Sequence, residues 1–188
     1  GTSSASPGTE HARGGGSTEL PDGDLKQAQL VNAKLDKVDA RGRDMSEANL
    51  EGASLYGARL ENVKFESAKL VGADMRSSRL NGANLTKATL TTCNLRGSDL
   101  EGADATEAEF QGAILKAATF NFAKFVQASM SLADLSMSKA VGATLTEADL
   151  SGANLDGAHL TQVSFAGAKL SNASLQCAVL KKCDFKKA

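Results

Sequence analysis

The side chains able to do chemistry are few and scattered. Cysteine stands at 93, 177 and 183, and histidine at 11 and 159. No pair of cysteines has the C-x-x-C spacing of a zinc or redox motif, and no cysteine–histidine cluster is present. Neither histidine has a nucleophile and an acid grouped around it, so no catalytic set can be assembled. The glycines at 14, 15 and 16 lead into no strand-to-helix junction and make no phosphate loop. These residues predict a protein that is not an enzyme, with no catalytic residue, metal or cofactor.

What holds these side chains in place is a strict five-residue beat. From Leu25 to Phe185 every fifth residue belongs to a series of 33 positions, and 30 of them are Leu, Phe or Met. The exceptions are Ala40, Ala105 and Ala140. The residue two before each is Ala in 23 cases and Ser, Val, Cys or Gly in all others but Arg43. Helices repeat near ~3.6 residues and strands at about 2, so neither gives this period. A right-angled coil does. Each pentad is then a short extended segment whose large residue and preceding small one point inward. Four pentads close a square coil of 20 residues. A narrow interior has room for one bulky residue per pentad, and Val38 before Ala40 shows the two roles exchanged. The second residue after the large one is often Gly, as at Gly52, Gly82, Gly142 and Gly157, which suits a corner.

The segments Ala48-Asn49-Leu50-Glu51-Gly52, Ala148-Asp149-Leu150-Ser151-Gly152 and Ala153-Asn154-Leu155-Asp156-Gly157 resemble the A-(D/N)-L-x-x units of pentapeptide repeat proteins. The resemblance covers roughly residues 25–188. It implies an all-β fold, a right-handed quadrilateral β-helix of about eight coils; the handedness comes from the resemblance and not from the spacing. At ~4.8 Å per coil the rod is ~40 Å long.

Three stretches follow from this register. Residues 1–19 are rich in Ser and Gly with no large apolar residue, which suits a flexible lead or linker. Residues 20–46 read as an irregular first coil or cap, because Pro21 and Gly23 are poor strand residues and Arg43 takes a small inward position. An arginine there is expected to snorkel outward from a distorted coil, the alternative being a functional buried charge. Residues 47–188 are the repeat proper. Between Ala103 and Ala140 its filling is uneven, Ala105 and Ala140 being small and Phe110, Phe120 and Phe125 large. Either the rings take up the vacated space or the rod bulges locally.

The same segment carries the candidate partner-binding residues. By phase Ile114, Phe122, Val126, Leu132, Met137 and Val141 all face outward, where polar residues and Gly prevail elsewhere. Clustered exposed apolar residues mark an interaction surface, while six residues spread over four faces would form no patch. Phe122 and Val141 fall one coil apart and one place offset. Cys93 and Cys183 fall inward as apolar filler, Cys177 outward. The chain closes with Lys181, Lys182, Lys186 and Lys187 around an uncovered coil end: either the lysines deter edge pairing, or a partner or a second copy covers the end, or the chain is a fragment.

The expected partner is an unidentified protein on a non-enzymatic scaffold. Some pentapeptide repeat proteins resemble duplex DNA and act on DNA gyrase, which implies DNA mimicry toward a type II topoisomerase as the alternative. Mimicry needs a strongly acidic surface, and 21 Lys and Arg nearly balance 22 Asp and Glu here. No nucleic-acid binding is expected, since no basic stripe extends beyond the terminal lysines, and no apolar run is long enough to span a membrane. Free thiols fit a reducing compartment, which favours the cytoplasm. A processed organellar or lumenal form would account equally for the lead.

Overall fold

The structure, a computed structural model, describes Leu20 and residues 23–188. The lead expected over 1–19, together with Pro21 and Asp22, lies outside the described residues.

Each pentad builds one side of a four-sided coil. The inward residue's carbonyl accepts a hydrogen bond from the amide three residues on, as Leu50 does from Ala53 at 3.0 Å. That bond closes a turn whose second central residue carries positive φ, between +54° and +68° at each of these positions from Gln27 to Lys187. The residue before each inward one forms a parallel bridge to its counterpart 20 residues later, as in Gln29↔Asn49, Asn49↔Lys69 and Lys69↔Thr89. Four ladders result, starting at Gln29, Lys34, Asp39 and Asp44. They are called sides 1 to 4 in that order. On side 3 the bridges widen into three short strands, β1 (Lys139–Val141), β2 (His159–Thr161) and β3 (Val179–Lys181). These pair in parallel with Ala140, Leu160 and Leu180 in one line.

The backbone groups are satisfied between coils. Leu30 N–H donates to Asn49 O at 2.7 Å, Asn49 N–H to Ala28 O at 2.9 Å, and Asn32 N–H to Glu51 O at 2.8 Å. The same three bonds recur down each side. Asp or Asn before the inward residue adds a fourth: its Oδ1 accepts the amide two residues on, as Asn49 does from Glu51 at 3.2 Å and Asn154 from Asp156 at 2.9 Å. This side-chain bond steadies the turn and explains why Asp and Asn recur there.

The core is a single file of inward pairs, 0 to 2% exposed from Ala40 to Ala168 apart from Arg43. Each buried Leu contributes on the order of 1.5–3 kcal/mol. Val38 and Ala40 are both buried, as the exchange of sizes requires. The uneven stretch is filled by rings: Phe125 meets Phe110 and Phe120 edge to face, with centroids 5.6 Å apart in both pairs. The turn-and-bridge pattern runs through it unbroken. At the other end the pattern is already in place from Lys26. There Arg43 is half-buried and its Nη2 donates to Gly23 O at 2.9 Å. Gly23 precedes Arg43 by one coil, so this bond joins the first two coils. No helix among the described residues is long and apolar enough to cross a membrane.

Candidate interaction surface

The packed interior leaves the corners and sides to do any work. A corner consists of the two turn residues, and the second is held at positive φ whatever its type. For a non-glycine side chain this left-handed conformation costs of order 1 kcal/mol or more. Phe122 (φ +56°), Leu132 (+58°) and Met137 (+59°) accept it. Each has a glycine one coil below. A Cβ on Gly142 would lie 2.9 Å from Phe122 Cδ1, one on Gly152 2.8 Å from Leu132 Cδ2, and one on Gly157 2.7 Å from Met137 Sδ. The bulky side chains therefore lie along the rod over bare backbone. They remain 61, 73 and 57% exposed.

The expected surface residues are divided among the corners. Phe122 and Val141 share the corner between sides 3 and 4, where Phe122 N–H donates to Val141 O at 2.9 Å. Val141 is 39% exposed. Its own amide is held by Asn121 Oδ1 at 2.9 Å. Val126, half-buried, sits at the corner between sides 4 and 1. Leu132 is at the corner between sides 1 and 2, and Met137 at that between sides 2 and 3. Ile114 lies on side 2, bridged between Asn94 and Asp134. The register brings Phe122 and Val141 together. It places Ile114 beside the corner of Met137, and it leaves Val126 and Leu132 apart.

Charge is organised by the same register. Along the corner between sides 2 and 3 the first turn residues run Asp36, Tyr56, Arg76, Arg96, Lys116, Ser136, Asp156. Three cations thus follow one another, one per coil. Arg76 donates to Asp74 at 2.8 and 2.6 Å, which lowers the Asp74 pKa and raises that of Arg76. Its guanidinium also covers the Tyr56 ring, 5.5 Å from the centroid. One coil on, Asn94 replaces Asp74, and beyond it stands Ile114. Arg96 and Lys116 accordingly have no ion-pair partner among the described residues. Lys139, on side 3, has none either. Lys34, Lys37 and Lys69 likewise have no ion pair among the described residues, but they do not follow one another on a single corner, and the other arginines that form an ion pair are matched locally. Arg41 donates to Asp39 at 2.8 and 2.7 Å and holds that carboxyl at about 2. Arg79 meets Glu61 at 3.1 Å. The cation ladder was missed in the sequence, although counting charges at a spacing of 20 shows it.

Below Lys116 the same corner opens into a shallow groove of about 410 Å³, lined among others by Ser136, Met137, Asp156, Gly157 and Cys177. Met137, Gly157 and Cys177 stand in one line along it. Among the described residues no group of His, Cys, Asp or Glu side chains is placed to hold a metal ion. Cys93 is buried, and desolvation pushes its thiol far above the usual range. Cys177 is exposed and Cys183 half-buried. At the last coil Leu180 and Phe185 are each 38% exposed, and Phe185 stacks on Phe165 with centroids 4.9 Å apart.

Comparison with known proteins agrees with this geometry. The family described as pentapeptide repeats matches in 8 overlapping copies that together run from residue 24 to 186. Among solved structures the chain is similar to HetL, a pentapeptide repeat protein involved in heterocyst differentiation regulation from the cyanobacterium Nostoc sp. strain PCC 7120. That likeness has 29% identity and a TM-score of 0.54, over 90% of this chain and 84% of HetL. Trypsin-treated QnrB1, a plasmid-mediated fluoroquinolone resistance protein, aligns with a TM-score of 0.69 at 18% identity over 86% of each chain, a likeness of fold alone. No curated protein matches. The four-sided coil is therefore the right-handed quadrilateral β-helix, and the chain belongs to the pentapeptide repeat family.

Proposed function

We propose that the protein is a non-enzymatic interaction module, a stiff rod that presents side chains at fixed intervals to a protein partner. The observation that carries this reading is the placement of Phe122, 61% exposed at a strained corner beside the 39% exposed Val141. A large ring there bears both the left-handed backbone and the exposure of apolar area, and folding alone recovers little of either. The filled interior supports the reading further, because a reaction needs a concave site with converging groups.

Topoisomerase-directed DNA mimicry is disfavoured by the charge pattern, since each side carries cations among its acids, as Lys64 and Lys124 do on side 4. A duplex mimic needs a sustained negative face.

The test is affinity capture with the wild type and with Phe122→Asp plus Val141→Asp. Both positions are outward, so the double variant folds as the wild type does by circular dichroism. Its captured partners fall away. Recovery of the same partners in the same amounts removes this surface from the assignment.

A further inference from the structure

We infer that the corner between sides 2 and 3 is a docking strip for an extended acidic segment of a partner protein that carries an apolar anchor next to its carboxylates. The inference rests on the interaction role proposed above and names its partner chemistry. Arg76, Arg96 and Lys116 rise along this corner one per coil, about 4.8 Å apart. Like charges at that spacing repel, and the fold gives them no relief beyond Arg76. The carboxylate that pairs with Arg76 at Asp74 is replaced by Asn94 and then by Ile114 at the equivalent positions of the next two coils. Arg96, Lys116 and the neighbouring Lys139 are all exposed. Nearby acids form no ion pair with these cations: Asp99 accepts from Asn81 Nδ2 at 2.8 Å, Asp134 from Ser136 N–H at 2.9 Å, and Asp156 from Gln176 N–H at 2.8 Å.

Apolar surface stands directly beside these cations. Ile114 is 37% and Met137 57% exposed, and Lys116 itself lines the same groove as Met137 and Gly157. Carboxylates placed against Arg96 and Lys116 thus set a neighbouring apolar side chain over Ile114 or into the groove. Asp156 at the far end of the groove repels further acid, which fixes which end of the strip takes the charged part. A single-stranded nucleic acid fits less well. Its bases need an open aromatic face, and the Tyr56 ring is covered by the Arg76 guanidinium.

The experiment uses the full chain and a fluorescein-labelled peptide, Glu-Asp-Glu-Gly-Leu-Leu, read by anisotropy. Two control peptides replace either the acids or the leucines by serine. Expected is saturable binding that weakens with salt and is lost for both controls. Arg96→Glu plus Lys116→Glu weakens binding roughly tenfold or more, as does the charge-neutral pair Arg96→Gln plus Lys116→Gln. Lys64→Glu plus Lys69→Glu, on sides 4 and 1, leaves it unchanged. Equal binding by the Arg96 and Lys116 variants, or equal binding by the acid-free peptide, overturns the proposal. An oligothymidylate that binds more tightly than the peptide and depends on the same two cations overturns the partner class. Capture of cellular partners that is indifferent to these two substitutions defeats the docking strip and leaves the interaction role standing. No capture by the wild type defeats both.

Discussion

Within a core this narrow, one hydroxyl is felt. Ser78, Ser98 and Ser138 occupy small inward positions on side 3 that alanine fills in most other pentads. Ser78 Oγ donates to Met75 O and Ser98 Oγ to Leu95 O, each at 2.7 Å. Ser138 is fully buried and its Oγ has no partner among the described residues. An unpaired buried hydroxyl costs on the order of 1–3 kcal/mol. Ser138→Ala therefore raises stability by ~1 kcal/mol, whereas Ser98→Ala breaks a formed bond and lowers it by up to ~1 kcal/mol. Urea unfolding of the two variants decides the matter; a Ser138→Ala that unfolds earlier than the wild type contradicts the assignment. The serine pattern was legible in the sequence as small filler. Which serine lacked a partner was not, because all three share one local spacing.

The pentad was legible because size contrast survives in one dimension: Leu50 with Ala48, or Phe65 with Val63, shows the inward pair without coordinates. Glycine at the corners was legible for the same reason. What the residues concealed is that the corner conformation belongs to the register and not to the residue. Phe122, Leu132 and Thr92 have no preference for positive φ and adopt it because stacking demands it. Thr92 is the extreme case, β-branched at φ +55°. Its Cγ2 lies over Gly112, 3.7 Å from where a Cβ would stand. On the same corner Asn32 lies over Gly52 in the equivalent setting, and asparagine tolerates this backbone. Thr92→Asn thus relieves strain without crowding and stabilises by about 1 kcal/mol. A loss on denaturant unfolding would show that Thr92 Oγ1, which donates to Thr91 O at 2.7 Å, matters more than the backbone. The cation ladder escaped notice for a related reason. Arg96 looks like any exposed arginine until the neighbour that would neutralise it is identified, and that neighbour is fixed by coil geometry.

At the scale of the whole rod, every coil is bonded only to the coil above and the coil below. Stability is then a chain of nearest-neighbour terms, and damage stays local. Leu95 is fully buried between Met75 and Leu115 in one inward line. A carboxylate in that place is an unpaired buried charge. Leu95→Asp opens the coils it touches at a cost of several kcal/mol. In a globule the loss would spread through the common core. Here amide exchange should rise around Leu90 to Leu115 while the amides of Leu145 to Leu160, two coils away, keep most of their protection. Thr91→Asp, at an outward turn residue four positions earlier whose hydroxyl donates to Gln111 Oε1 at 3.2 Å, changes stability by no more than ~1 kcal/mol and leaves exchange as it was. Uniform loss of protection along the chain in Leu95→Asp would mean that the coils fold as one cooperative unit. The docking strip would then sit on a body able to transmit a change from one end to the other, and a local reading of its binding energies would fail with it.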